Sequence, residues 1–225
     1  LAALDAASAR TVRAGLLLPW ANVAVETELA RLGLRRTVFH HARLVPASRT
    51  TAIDASFWHG LRAASAQALD SLSHVPLDVV MLACTSAGFS DGPPLPDGVF
   101  TAFDALLQAL TRAAAARVVL VTPYPVPVTE AEAAALAAAG VEVLAHASLG
   151  LADGYPAITP EQILSLTGQL PQEAVGAAEA VVFSCTGWHT LAVIPELEHR
   201  FGKPVLSSNL AMALLAARAR TGVCS

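Results

Sequence analysis

The strongest constraint on this 225-residue chain is that it repeats itself. Leu18-Pro19-Trp20, followed by Glu26 and Glu28, returns as Thr122-Pro123-Tyr124, followed by Glu130 and Glu132, with every pair 104 residues apart. The run from Asp78 to Thr85, which carries Cys84, returns as the run from Glu179 to Thr186, which carries Cys185, 101 residues apart. Two matches in the same order and in near-constant register imply a duplicated unit. A duplicated unit folds as two alike halves related by a pseudo-twofold axis.

The kind of unit follows from the hydrophobic pattern. Short apolar, β-branched runs predict strands over residues 12–18, 37–42, 77–83, 118–122, 141–147, 180–184 and 204–206. Ala/Leu-rich stretches between them predict helices over 25–34, 54–73, 99–115, 130–139, 160–177, 190–201 and 208–221. Strands that are apolar on both faces and alternate with helices belong to a parallel sheet covered on both sides. The expected fold is α/β: two similar doubly wound halves, each with a parallel four-stranded sheet and the active site between them. The first half is expected over residues 1–116 and holds Cys84; the second spans 117–225 and holds Cys185, with segment 204–225 free to pack back onto the first. The Gly/Pro-rich stretch 90–98 reads equally as a rim over a pocket or as a plain connector.

Composition removes several classes of function. Apolar residues make up 54% of the chain and charged residues 14%, which excludes a disordered chain. No apolar run approaches the roughly 18–20 residues of a membrane span, and no charged-then-apolar leader with a cleavage site is visible. A formal charge of −4 without a Lys/Arg run argues against a nucleic-acid partner. No phosphate-binding Gly loop and no H-E-x-x-H stands in the chain, so nucleotide and zinc-hydrolase chemistry have no support. The three cysteines form no C-x-x-C and no zinc spacing, and free thiols suit a cytoplasmic location. His40 and His41 are adjacent on a predicted strand and point to opposite faces, which makes them a poor metal clamp. No cofactor and no metal are expected.

What remains is the pair of thiols. Cys84 and Cys185 each end an apolar strand and precede small polar residues, Thr85-Ser86-Ala87-Gly88 and Thr186-Gly187. Ligands of open α/β sheets bind beyond the carboxyl ends of strands. Turn N–H groups and helix N-termini there favour negative charge, which is expected to lower a thiol's pKa and to attract a substrate carboxylate. An isolated cysteine at a strand end is better read as a small buried hydrophobe. Two in register, each followed by Thr, read as a functional pair. Across a pseudo-twofold axis they act as an acid/base couple, or as a nucleophile and a proton donor. Cys224 has no counterpart in the repeat and is read as structural.

At these residues the sequence resembles the aspartate/glutamate racemase superfamily, and within it the branch of maleate cis-trans isomerases and arylmalonate decarboxylases. The resemblance rests on Gly15-Leu16-Leu17-Leu18-Pro19-Trp20-Ala21-Asn22, Ala83-Cys84-Thr85-Ser86, Val121-Thr122-Pro123-Tyr124 and Ser184-Cys185-Thr186. It extends through Ile194-Pro195-Glu196, Gly202-Lys203-Pro204-Val205 and Ser207-Ser208-Asn209. It implies that Cys84 is the nucleophile or first acid/base and Cys185 its partner. It further implies that Asn22, Thr85, Ser86, Tyr124, Thr186 and Gly187 hold a substrate carboxylate through N–H and O–H groups. On their residue type alone, Asn22 reads as a turn former and Tyr124 as a packed ring.

Decarboxylases of this branch keep only the second cysteine, so two cysteines imply a cofactor-independent isomerase of a small carboxylate or dicarboxylate. The alternatives are a decarboxylase, an amino-acid racemase or a non-catalytic carboxylate-binding relative. The expected partner is a small molecule, and a homo-oligomer is allowed. Two departures from the maleate isomerase pattern stand out: Gly187-Trp188-His189 after the second cysteine, and Ala152-Asp153-Gly154-Tyr155 where an Asn is usual near position 154. Trp188 implies a bulkier or more apolar pocket. His189 is read as a helix-start or core residue before a third proton carrier.

Overall fold

The central strands of the two sheets are the repeated ones. The computed structural model describes residues 11–219. The first sheet holds β1 (Val12–Pro19), β2 (Thr37–Leu44), β3 (Val79–Leu82) and β4 (Val99–Thr101) in the order β2-β1-β3-β4. The second holds β5 (Arg117–Thr122), β6 (Glu142–Ser148), β7 (Ala180–Phe183) and β8 (Val205–Ser207) in the matching order β6-β5-β7-β8. All neighbours pair in parallel. Strand β3 shifted by 101 residues is β7, so the sequence repeat and the structural repeat coincide.

Helices alternate with these strands: α1 (Ala24–Arg31), α2 (Ala55–Asp70), α3 (Ala102–Arg112), α4 (Val126–Ala138), α5 (Pro160–Thr167), α6 (Gln172–Ala177), α7 (Ile194–Phe201) and α8 (Ser208–Arg218). Several starts are set by local chemistry. Asp54 accepts from the Phe57 N–H, Thr101 and Asp104 form a capping box, and so do Thr159 and Gln162. Strand β1 buries seven of its eight residues, because helices cover both its faces. One core cluster joins Leu16, Leu18 and Leu106 of the first half to Val118, Leu120, Leu136 and Val182 of the second. Helix α8, at the chain's end, packs on α3 and α1.

Three expectations need correction. Residues 99–101 form edge strand β4 rather than the first turn of a helix, because Thr101 ends the strand and caps α3 at once. The helix expected over 160–177 is two helices, separated where Gly168 ends the first and Pro171 precedes the second. Helix α4 starts at Val126, four residues earlier than expected, directly after Pro125. Among the described residues no helix is long and apolar enough to cross a membrane. Cys224 and the end of the last predicted helix lie outside the described residues.

Candidate active site

Strand order reverses between β1 and β3 in one half and between β5 and β7 in the other. A doubly wound sheet opens a crevice at the carboxyl ends of its strands where the order reverses. The turns after β1 and β3 carry Asn22 and Cys84 to it; the turns after β5 and β7 carry Tyr124 and Cys185. The two crevices merge into one cavity of about 70 Å³ lined by Asn22, Cys84, Thr85, Ser86, Tyr124, Cys185, Thr186 and Gly187. All eight residues singled out in the sequence therefore meet. Among the described residues no Lys, Arg or His lines this cavity, so an anion in it must be held by neutral donors. Among the described residues no group of three His, Cys, Asp or Glu could hold a metal ion.

The two thiols have unequal surroundings. Cys84 Sγ lies 3.5 Å from Ser86 Oγ, which already accepts from Trp58 Nε1 at 2.9 Å, leaving the serine proton free to face the sulfur. Cys185 Sγ accepts from the Gly187 N–H at 3.2 Å and is also served by the Tyr124 hydroxyl. Cys185 has φ 102°, in the left-handed region that a residue with a Cβ rarely adopts. That strained turn aims its side chain into the cavity.

The expected lowering of the thiol pKa is overturned. Burial pushes the Cys84 thiol up, against the opposing pull of Ser86 and the backbone N–H groups of Ala87 and Ser86. Burial likewise pushes Cys185 up to about 12, outweighing Gly187 and Tyr124, and the nearby acids Cys84 and Glu132 add to the rise. The helices that directly follow the two thiols in the chain are weak or distant. A single 3₁₀ turn (Ser86–Gly88) follows Cys84, and the next helix after Cys185 starts at Ile194. Burial also holds the Tyr124 hydroxyl well above its ordinary value, with Cys185 the next contributor.

Hydrogen bonds lock the halves together beside the sulfurs. Thr186 Oγ1 donates to the Ala83 carbonyl at 2.8 Å and accepts from Asn22 Nδ2 at 3.0 Å. Thr85 Oγ1 donates to Ser208 Oγ at 2.8 Å, and that oxygen also accepts from the Cys185 N–H at 3.2 Å. Asn22 Oδ1 accepts from the N–H groups of Ala24 and Val25, so Asn22 both ties down the start of α1 and borders the cavity. One N–H of its amide remains for a ligand.

The rest of the wall was not visible as a motif. Thr51, Ile53 and Phe57 arrive from the segment after β2, and Asp153, Tyr155 and Pro156 from the segment after β6. The Ile53 N–H donates to the Ala152 carbonyl at 3.2 Å, and Thr51 Oγ1 donates to Asp153, so these segments meet at the mouth. Tyr155 stands edge-on to Tyr124 with centroids 5.9 Å apart. The chain has two tyrosines, and both line the cavity; their scarcity was the available signal. Segment 90–98 contributes nothing to the lining. Trp188 does not enlarge the pocket; it is fully buried and packs on Phe183 at 5.8 Å. His189 also lies outside the lining, with Nδ1 3.5 Å from Thr27 Oγ1.

Fold and site together define a two-lobed α/β protein that pairs one thiol from each lobe across a cation-free pocket. The profile of the arylmalonate decarboxylase family matches residues 82–222, more than half of the chain, and the chain belongs to that family. It is 28% identical over 224 residues to a maleate isomerase of Nocardia farcinica, covering 89% of this chain and 87% of that protein. It is 26% identical over 225 residues to a maleate isomerase of Pseudomonas putida, covering 88% of each. Its structure resembles that of a cysteine-to-serine variant of Nocardia farcinica maleate cis-trans isomerase with a covalently bound succinylcysteine intermediate. The TM-score is 0.83 at 26% identity, covering 93% of this chain and 92% of the other. A glycine-to-cysteine variant of arylmalonate decarboxylase matches with a TM-score of 0.75 at 26% identity, over 95% of both chains.

Proposed function

We propose that this protein is a cofactor-independent cis-trans isomerase of a small unsaturated carboxylate, with Cys84 as nucleophile and Cys185 as proton donor. The observation that carries the reading is the pair of buried thiols on one cavity, one from each half, in unequal settings. The succinylcysteine seen in the Nocardia relative supports a thiol adduct as the intermediate. Cys84 enters as the thiolate and its sulfur adds to one alkene carbon. The π electrons move to the neighbouring carbon, which takes the proton of Cys185. The former double bond is now single and rotates. Cys185, now the thiolate, takes the proton back, the C–S bond breaks, and the trans alkene leaves with Cys84 again a thiolate. Each bond made is later broken, so no outside oxidant or reductant is needed.

The free N–H of the Asn22 amide, the Ser86 hydroxyl and the backbone N–H groups of Thr85 and Thr186 hold the substrate carboxylate, while Tyr124 and Gly187, which donate to the Cys185 sulfur, border it; neutral donors suit an anion in a site without cations. The raised thiol pKa values are consistent with this chemistry. A desolvated thiolate is scarce at neutral pH but poorly shielded by water once formed.

The test is substitution followed by mass spectrometry with maleate as the first of a carboxylate panel. Cys84→Ser is expected to abolish turnover. Cys185→Ser is expected to lower it strongly and to leave an adduct on Cys84. Turnover that survives loss of Cys84 but not of Cys185 sinks the reading in favour of decarboxylation. That second reading has its own support in the family match and in the apolar wall of Ile53, Phe57 and Pro156. Turnover in D₂O separates the two, since decarboxylation leaves label at the carbon that lost CO₂.

A further inference from the structure

The repeat carries a second pair of groups that the reaction above does not use. Glu28 on α1 and Glu132 on α4 are equivalent positions, and both side chains are fully buried. Their surroundings differ completely. Glu28 accepts from the Leu191 N–H at 2.8 Å, from Asn209 Nδ2 at 2.9 Å and from Thr190 Oγ1 at 3.2 Å. Neither oxygen of Glu132 meets a donor in good hydrogen-bond geometry; the buried Ser184 hydroxyl, otherwise unpaired, lies close enough to favour its charged form but only weakly opposes its burial.

Glu132 does not line the cavity, yet it lies within electrostatic reach of two groups that do, Tyr124 and Cys185. Helix α4 follows Tyr124 directly, and Ser184 is the residue before Cys185. A charge on Glu132 would act on both Tyr124 and Cys185. The groups that act on it, or that its charge acts on, are Ser184 and Cys185 from the end of β7 and Tyr124 from the end of β5, none of them a cation; the ionisable groups of β6, which also packs on α4, are Glu142 and His146, both exposed. A buried carboxyl without partners holds its proton, because the charged form has lost water and gained nothing in return. Burial pushes Glu132 from 4.5 to about 8.

We infer that Glu132 is a positioning residue for Cys185: a neutral acid kept behind the second thiol, whose deprotonation disables that thiol and sets the alkaline limit of the site. With Glu132 protonated, the pocket carries only the charge of one thiolate and its ligand. Once Glu132 ionises, a second negative charge stands behind Cys185. Cys185 then becomes a weaker acid, and the negatively charged adduct state is disfavoured. The two groups titrate as a coupled pair. The catalytic part of this inference rests on the isomerase reading; the coupling itself does not.

The experiment compares the wild-type chain with Glu132→Gln by iodoacetamide labelling of Cys185 between pH 7 and 10, read by peptide mass spectrometry. Above about pH 8 the variant is expected to label roughly 3–10-fold faster, the effect of lowering a thiol pKa by about half to one unit. Superimposed labelling curves overturn the inference. The same proteins are assayed for maleate isomerisation across that range. The wild-type kcat/KM is expected to fall as pH rises through about 8, and the fall in Glu132→Gln to move upward by about one pH unit or to vanish. An unmoved limb overturns the catalytic part. A labelling shift without any isomerisation leaves the coupling standing and removes the isomerase reading instead. Should Glu132→Gln fail to fold, wild-type protein carrying ¹³C at its glutamate carboxyls decides by NMR. One glutamate titrating near pH 8 supports the inference, and ordinary acid titration of all of them overturns it.

Discussion

Removing Glu28 should loosen the joint between the two halves, and the structure allows the cost to be worked out. Glu28→Ala leaves the part-buried Leu191 N–H and one N–H of the buried Asn209 amide without an acceptor. The Thr190 hydroxyl rotates and loses less. At roughly 1–3 kcal/mol for each buried donor left unsatisfied, with a further contribution from the void, the expected loss is about 4 kcal/mol. Glu28→Gln keeps an acceptor for Leu191 but sets an amide NH₂ against the NH₂ of Asn209. Asn209 can flip, because its Oδ1 has no partner, though it then gives up its bond to the Thr186 carbonyl at 3.3 Å. That exchange should cost about 1–2 kcal/mol. Urea unfolding with linear extrapolation measures both. The order wild type, Gln, Ala is the signature. A loss below about 1 kcal/mol for Glu28→Ala, or equal losses for the two variants, would refute the reasoning.

Four further outcomes follow from the same geometry. Alkylation of Cys84 and Cys185 should be slow at neutral pH and keep rising toward alkaline pH, because burial holds both thiols protonated; a plateau already reached near pH 7 contradicts this. Gly187→Ala should reduce turnover about tenfold with little change in stability, since its Cβ would stand 3.2 Å from Tyr155 Cδ2 and 3.4 Å from Cys185 Sγ; unchanged kcat/KM counts against the site. Gly88→Ala should cost about 2–3 kcal/mol in a melt, because the added Cβ would lie 2.5 Å from Thr101 Oγ1 and 2.6 Å from Phe103 Cβ. Glu132→Gln should gain stability relative to the wild type as pH rises from 4.5 to about 8. In that window the folded wild type keeps a proton that the unfolded chain releases, so its stability falls by up to about 5 kcal/mol and then levels off. Parallel stability curves for the two proteins would contradict it.

The sequence pointed to the site better than to the chemistry of its surroundings. Cys84 and Cys185 were readable because duplication put each at the end of a strand in a fixed register, and topology then forces strand ends together; Asn22 and Tyr124 were marked by the family resemblance alone. Ile53 and Tyr155 sit on long connections with no register, and Phe57 in the first turn of α2, where an apolar residue reads as core, so nothing local marks them as wall. Edge strand β4 is three residues long and runs straight into the cap of α3, which leaves no alternation to read. The direction of the thiol shifts depends on how completely the halves close over the sulfurs. Depth of burial is a property of packing that a pattern of residue types does not encode. The glutamates show the same limit: Glu26 pairs with Arg43 at a partly exposed site, while Glu28, two residues on, is sealed inside.

Helix α8 has a consequence for how the chain is made. It is the last described helix, yet its apolar residues Ala211, Met212 and Leu215 fill the core beside Leu106 and Leu110 of α3. A nascent chain that has finished α3 at Arg112 therefore waits for about 105 more residues before its covering helix, which ends at Arg218, exists. At roughly 5–20 residues per second, the apolar flank of the first half stays open for about 5–20 s of translation. Ribosome-bound chains halted just before Ser208 should thus be captured by holdase chaperones, and chains released after α8 should not.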